Sequence, residues 1–267
     1  MNYPKISIIT PSYNQAQFLE KTIDSVLDQQ YPNLEYIIID GGSTDGSLEL
    51  IRKYAHRISY WVSEEDSGQV NAINKGLRLA TGDWVAWQNS DDVYHPGSFM
   101  SFANAVASHS KAQIIIANMN VIDREGCILR KMKYVKPTYH SLLAECMVLT
   151  NQSAFWRRDL HEKIGLLDES LNCAFDYEWF LRILQHGAQS IHINAVWGSL
   201  RMHCDTKTSN LKDIFENEFS RVLSGRKPIW IVIKLYQIRR LLLTALNGEL
   251  TYIVKGIRNR VISKVFQ

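Results

Sequence analysis

Thr81-Gly82-Asp83-Trp84-Val85-Ala86-Trp87-Gln88-Asn89-Ser90-Asp91-Asp92 is the stretch on which the reading of this chain turns. Asp83 to Trp87 has the length and the aromatic and β-branched content of a buried strand, and Thr81-Gly82 before it is a turn signal. Asp91 and Asp92 then fall just past the strand's carboxyl end. In an open α/β sheet that edge is where ligands bind, because loops there converge on one crevice while helices cover both faces. Two adjacent like charges repel, so a fold keeps them together either in free solvent or around a cation. Taken alone, the pair reads equally well as an exposed turn before a helix.

The flanking sequence repeats one pattern. Lys5 to Thr10 is a near-continuous apolar run ending in Pro11-Ser12-Tyr13-Asn14, which predicts a buried first strand and its loop. Phe18, Leu19, Ile23, Val26 and Leu27 recur at helical spacing until Tyr31-Pro32-Asn33. Leu34 to Asp40 predicts a second strand, ending in Gly41-Gly42-Ser43-Thr44-Asp45-Gly46, where Ser43 or Asp45 can cap a helix carrying Leu48, Ile51 and Tyr54. Ile58 to Val62 predicts a third strand, followed by Glu64-Glu65-Asp66-Ser67-Gly68 and a helix marked by Val70, Ile73 and Leu77. Such alternation predicts a mostly parallel sheet with right-handed crossovers. A dinucleotide-binding Gly-x-Gly-x-x-Gly turn is excluded, because Pro11 to Gln17 stands between the first strand and its helix. Nucleotide phosphates would need another neutraliser, and a cation at Asp91 and Asp92 is the candidate, Mg²⁺ or Mn²⁺ being suited to few carboxylates plus phosphate oxygens.

Length and composition allow one large α/β domain with a tail: 267 residues, 46% apolar and 21% charged. The net charge of +3 hides an asymmetry. From Arg226 onward nine Lys and Arg stand against the single acid Glu249, giving +8 and leaving the first 225 residues at −5. An acidic body with a basic tail points to an anionic surface as partner. Cys127, Cys146, Cys173 and Cys204 are widely spaced, which predicts reduced thiols in a cytosolic protein. A strand begins within five residues of Met1, which predicts no signal peptide, and no uncharged apolar run is long enough to span a membrane.

Four segments in order, Ile8 to Asn14, Ile39 to Gly46, Asp66-Ser67-Gly68-Gln69 with Asn74-Lys75-Gly76, and Asn89-Ser90-Asp91-Asp92 with Pro96-Gly97, resemble the inverting family 2 glycosyltransferases of the GT-A fold. The resemblance covers roughly the first 110 residues. It implies that Pro11, Tyr13, Asn14, Asp40, Asp66, Asn74, Asn89, Ser90 and Asp91 contact a nucleotide-sugar donor, Asp91 at the ribose, and that Asp92 holds a divalent metal on the diphosphate. Many family members carry a second acid where Gly41 stands, a departure that leaves the base contact open.

Ile114 to Ile122 and Cys127 to Tyr134, joined by Asp123-Arg124-Glu125-Gly126, predict a hairpin. Asn151 to Arg158, Ile164 to Glu169 and Phe175 to Arg182 resemble the acceptor half of the same family, where an acid at the position of Asp176 is the catalytic base. Asp176 also suits a helix cap, and Glu178 is the alternative base. The segment Ser199 to Thr208 resembles the family's Arg-x-His segment near the diphosphate. That makes His203 a metal or phosphate ligand and Arg201 and Lys207 phosphate partners, against the simpler reading of His203 as a packed histidine. Two basic amphipathic segments, Ile229 to Leu246 and Leu250 to Val265, suit an interfacial helix or packing on the body.

The expectation is therefore a GT-A α/β domain over residues 1–225, with its nucleotide-sugar-binding half in 1–110 and its acceptor half in 111–225, and a helical tail over 226–267. The expected activity is metal-dependent, inverting transfer from a UDP-sugar to a glycan or lipid-linked acceptor in cell-surface polysaccharide synthesis. No nucleic acid is expected as partner, and the expected location is cytoplasmic, peripheral on the inner membrane face. The alternatives are a catalytically silent sugar-nucleotide-binding protein and a sugar-phosphate nucleotidyltransferase, the latter lacking its Gly-rich basic loop here.

Overall fold

The computed structural model describes residues 3–145, 149–203, 212–226 and 228–256. The first half follows the predicted alternation: β1 (Ile6–Ser12), α1 (Ala16–Leu27), β2 (Leu34–Asp40), α2 (Ser47–Tyr54), β3 (Tyr60–Ser63), α3 (Gln69–Leu79) and β4 (Trp84–Trp87). These strands lie side by side in the order β3-β2-β1-β4, all parallel. Chain direction across the sheet reverses between β1 and β4, so a crevice opens beyond their carboxyl ends. Pro11 fits this place. It shares the face of Ile9, whose carbonyl accepts Gln88 N on the β4 side, and it lies past the last β1–β4 pair, so its missing N–H breaks no ladder bond.

The second half is mixed rather than parallel. β5 (Val93–Tyr94), α4 (Ser98–Ser108), β6 (Ile114–Ile122), β7 (Ile128–Met132), α5 (Tyr139–Glu145), β8 (Ala154–Arg157), α6 (Arg158–Ile164), α7 (Phe175–Gln185) and β9 (Ser190–Arg201) complete a nine-stranded sheet ordered β3-β2-β1-β4-β8-β6-β9-β5, with β7 also on β6. β8 runs antiparallel to both β4 and β6, and β5 antiparallel to β9. The predicted hairpin is present: Asp123 Oδ1 accepts the N–H groups of Gly126 and Cys127, and Gly126 takes φ 101°, so β6 and β7 must be antiparallel. Parallel neighbours need crossovers of a dozen residues or more, which the short link 123–127 between β6 and β7 does not supply. Consecutive Phe155 and Trp156 of β8 serve opposite faces of the sheet: Trp156 packs with Trp87, Trp179 and Phe180, its ring centre 5.2 Å from that of Trp87, and Phe155 packs with Phe102 and Trp197 on the other side.

Two helices follow, α8 (Lys212–Val222) and α9 (Trp230–Leu246), and residues 250–256 are helical. Cys146, Cys204, Lys207 and the rest of the second basic segment from residue 257 lie outside the described residues. Among the described residues no helix is long and apolar enough to cross a membrane. The tail differs from its amphipathic reading in which side faces out. Arg240 pairs with Glu145 of α5 and Arg239 donates to Lys136 O at 3.2 Å, so these two cations face the body, and Lys133 of the body pairs with Glu249 after α9 at 2.6 Å. Trp230, Ile231, Leu235, Ile238, Leu242 and Leu246 are exposed.

Gly198 of β9 has no room for a side chain, since a Cβ there would lie 2.0 Å from Gln152 O. Gly198→Ala should therefore cost about 1–3 kcal/mol of stability by overpacking against backbone. Gly256→Ala, facing open space, should cost nothing of the kind. Urea unfolding of both variants checks the contrast.

Candidate active site

The loop after β4 is held from several directions. Asp92 is fully buried, its Oδ1 accepting Arg201 N at 2.8 Å and its Oδ2 accepting Asn89 Nδ2 at 3.0 Å and Gln152 Nε2 at 2.8 Å. Burial pushes its pKa well up, the charge of Asp91 adds to this, and the three donors oppose it. The Thr22 hydroxyl of α1 lies 2.9 Å from Ser90 O and 2.7 Å from Asp92 O. Arg201 is buried as well. Its guanidinium donates to Asp91 O, Asp123 O and Arg124 O, so these donors go to backbone carbonyls and not to a phosphate.

The metal role expected for Asp92 does not suit this carboxylate, which is enclosed and already accepts three hydrogen bonds. The carboxylate open to the crevice is Asp91, whose Oδ2 stands 3.0 Å from His203 Nε2. His203 packs against Phe18, 4.7 Å between ring centres. At hydrogen-bonding distance of each other, the Asp91 oxygen and the His203 nitrogen are two donor atoms that would both be within reach of one divalent cation. Carboxylate and imidazole both suit Mn²⁺, so the pair fits such an ion. Among the described residues no cluster of three or more His, Cys, Asp or Glu could hold a metal, so the remaining positions would fall to phosphate oxygens and water.

The loops after β1, β2 and β3 form one hydrogen-bonded floor. Asn14, with φ 51°, donates its N–H to Ser43 Oγ and accepts Thr44 N on Oδ1. Asp40 is buried and accepts from Ser43 N at 2.9 Å, Ser43 Oγ and Ser63 Oγ at 2.7 Å. Its carboxylate therefore shapes the floor. Tyr13 stands above it, 63% exposed. Asp66 accepts Gly68 N at 2.8 Å, and a Cβ at Gly41 would lie 2.9 Å from its Oδ2, so Asp66 occupies the space beside Gly41. Gln69 Nε2 donates to Asn89 Oδ1 at 2.9 Å. Asn74 does not join this group. It is buried in α3, bonding Leu167 through both amide ends and donating to Glu169, so its amide braces α3 against the loop before α7.

Asp176 is the second residue of α7. The preceding Phe175 packs 6.2 Å from Trp87, the last residue of β4, which brings the start of α7 to the sheet edge of the Asp91 loop. Burial raises the Asp176 pKa to about 6, against the pull of the Tyr177 N–H 2.6 Å away. The alternative, Glu178, is paired with Arg182 at 2.8 Å. Sequence reading missed Thr22, Gln152 and Glu218. Thr22 and Glu218 belong to no motif, Gln152 lies in the Asn151 to Arg158 segment without having been singled out, and each acts on residues more than forty positions away.

The glycosyl transferase family 2 model matches residues 7–165. An uncharacterized glycosyltransferase of Rickettsia prowazekii is 32% identical over 66% of this chain and 58% of its own length. Chondroitin synthase of Escherichia coli is 28% identical over 82% of this chain and 32% of its own length. The chain thus spans little more than half of the first relative and a third of the second. Among solved structures, Staphylococcus aureus TarS in complex with UDP-GlcNAc superposes with a TM-score of 0.66 at 17% identity, over 83% of this chain and 67% of that one. The mannosyltransferase PcManGT of Pyrobaculum calidifontis, in complex with GDP-Man and Mn²⁺, gives 0.65 at 19% identity, over 98% and 81%. These likenesses identify the sheet as the GT-A type, and a family match over more than half the sequence completes the identification: this chain belongs to glycosyl transferase family 2.

Proposed function

We propose that the protein transfers a sugar, with inversion, from a nucleotide diphosphate sugar to a hydroxyl of a glycan or lipid-linked acceptor in cell-surface polysaccharide synthesis. The observation that carries the reading is a raised carboxyl, Asp176, at the same sheet edge as the Asp91–His203 pair. A base with a pKa near 6 is mostly ionised at neutral pH, yet keeps more basicity than an ordinary aspartate. Asp176 takes the acceptor proton while the hydroxyl oxygen attacks the anomeric carbon from the face opposite the diphosphate, so one displacement inverts that centre. Asp91 and His203 would hold a divalent cation, Mn²⁺ or Mg²⁺, at the diphosphate end, where it would compensate the charge of the leaving group. Tyr13 and the Asn14–Ser43–Asp40 floor face the nucleoside, and UDP is the preferred carrier, in keeping with the UDP-GlcNAc complex of TarS.

The reaction takes place at the cytoplasmic face of a membrane. The exposed apolar side of α9, with a net +8 from residue 226 onward, supports this location. Apolar burial in the headgroup region adds to attraction of about 1 kcal/mol per basic residue near an anionic surface.

Transfer should fall on acidification through about pH 6, because protonation removes the base. Asp176→Asn should lower turnover roughly 10²- to 10⁴-fold while leaving donor affinity intact, and should abolish that pH limb. A donor panel assayed for transfer across pH checks both; wild-type-like transfer by the variant moves the base elsewhere.

UDP should bind more tightly in Mn²⁺ than in EDTA, and Asp91→Asn should erase most of the difference. Calorimetric titration decides, equal affinities in the wild type being the adverse result.

The full chain should co-sediment with anionic phosphatidylglycerol vesicles at low salt, and Leu235→Glu with Leu242→Glu should release it without changing transfer to a soluble acceptor. Indifference of the wild type to vesicles would make the tail internal packing only.

A further inference from the structure

Three backbone N–H groups of the segment entering α7 end on one carboxylate. Asn172 N donates to Glu218 Oε1 at 2.7 Å, and Cys173 N and Ala174 N donate to Oε2 at 2.8 and 3.0 Å. Glu218 lies on α8, 44 residues beyond Ala174, and is buried. Burial would raise its pKa, yet these donors hold it below the usual carboxylate range. The start of α7 has no side-chain cap of its own, Ala174 standing at the cap position. The Glu218 carboxylate instead anchors the turn that leads into the helix, accepting from the three residues ahead of Phe175. α8 also grips the far side: the Phe219 ring is 4.6 Å from that of Tyr177, and Arg221 donates to Ser170 O and Oγ at 3.2 and 3.0 Å.

We propose that Glu218 is a positioning residue for the transfer reaction, fixing the Asn172–Ala174 backbone and with it the place of the Asp176 carboxyl at the start of α7. The proposal rests on Asp176 being the base. A carboxylate is needed because it only accepts. In Glu218→Gln one oxygen becomes an amide nitrogen that meets an N–H it cannot accept from, and the segment must shift. Misplacing a base by about 1 Å can cost roughly 10²-fold in rate.

The test uses the full chain and reads donor affinity, turnover and the pH profile of turnover. Glu218→Gln should lower turnover roughly 10- to 100-fold with unchanged donor affinity. It should also move the limb near pH 6 to lower pH, since loosening this segment lets water reach Asp176 and relieves the burial that raised its pKa. Glu218→Asp, which keeps the charge but is one methylene shorter, should fall between wild type and Gln, and it carries the test if the Gln variant does not fold. In an Asp176→Asn background, adding Glu218→Gln should cost little further turnover, because both changes act through one group. Unaltered turnover and pH limb in Glu218→Gln, or a loss matched by donor affinity, would overturn the positioning role. If Asp176→Asn itself transfers at the wild-type rate, the base assignment fails and this proposal with it; if Asp176→Asn is inactive while Glu218→Gln is normal, only the positioning role fails.

Discussion

Burying an ionisable carboxylate is costly unless its lone pairs are met, and Asp92 meets that condition with donors from three separate parts of the chain. Asn89 comes from the loop after β4, Gln152 from the short 3₁₀ helix Asn151–Ser153, and Arg201 N from the end of β9. One side chain therefore ties the carboxyl end of the parallel half to the carboxyl end of the mixed half. Leaving one of these donors unmet would expose the full desolvation cost of that group, on the order of 1–3 kcal/mol. With Asp92 turned inward, its neighbour Asp91 is left at the crevice, and Arg201 fixes Asp91 from behind by taking its carbonyl. His203 arrives two residues after Arg201, beside Asp91 Oδ2.

Much of this was legible in the sequence. The strand ending at Trp87, the carboxylates past it, the hairpin around Gly126 and the acid at the start of α7 were all placed by spacing and turn chemistry. The division of labour between Asp91 and Asp92 was not legible, because it depends on Gln152 and Arg201, 60 and 109 positions away. Asn74 misled for a similar reason. A polar residue in a loop-proximal helix looks like a ligand until Leu167 and Glu169 are seen to use its amide. The parallel order expected from the first half is present there, whereas the antiparallel entry of β8 between β4 and β6 is a pairing that no local pattern encodes.

The tail shows the same limit from another side. Alternating apolar and cationic residues give an amphipathic helix whichever way it faces. The cationic side of α9 is held by Glu145 of α5, which pairs with Arg240, and by Lys136 O, which accepts from Arg239, while Lys133 of the body pairs with Glu249 just after the helix. Glu145 is itself largely buried, its pKa raised by that burial against the pull of Arg240. Holding two arginines against the body leaves the leucines and isoleucines of α9 on the outside.

Gly41 and Asp66 also share a constraint that reaches beyond this one chain. Their side-chain positions contend for a single volume: a Cβ at residue 41 would force the Asp66 carboxylate away and cost it the bond to Gly68 N. A side chain at position 41 is compatible with this backbone once the Asp66 carboxylate turns aside. The two sites should therefore drift together over evolutionary time, so that a relative gains a carboxylate at one as it gives up bulk at the other, and the charge in this corner of the floor is kept while its address in the sequence changes.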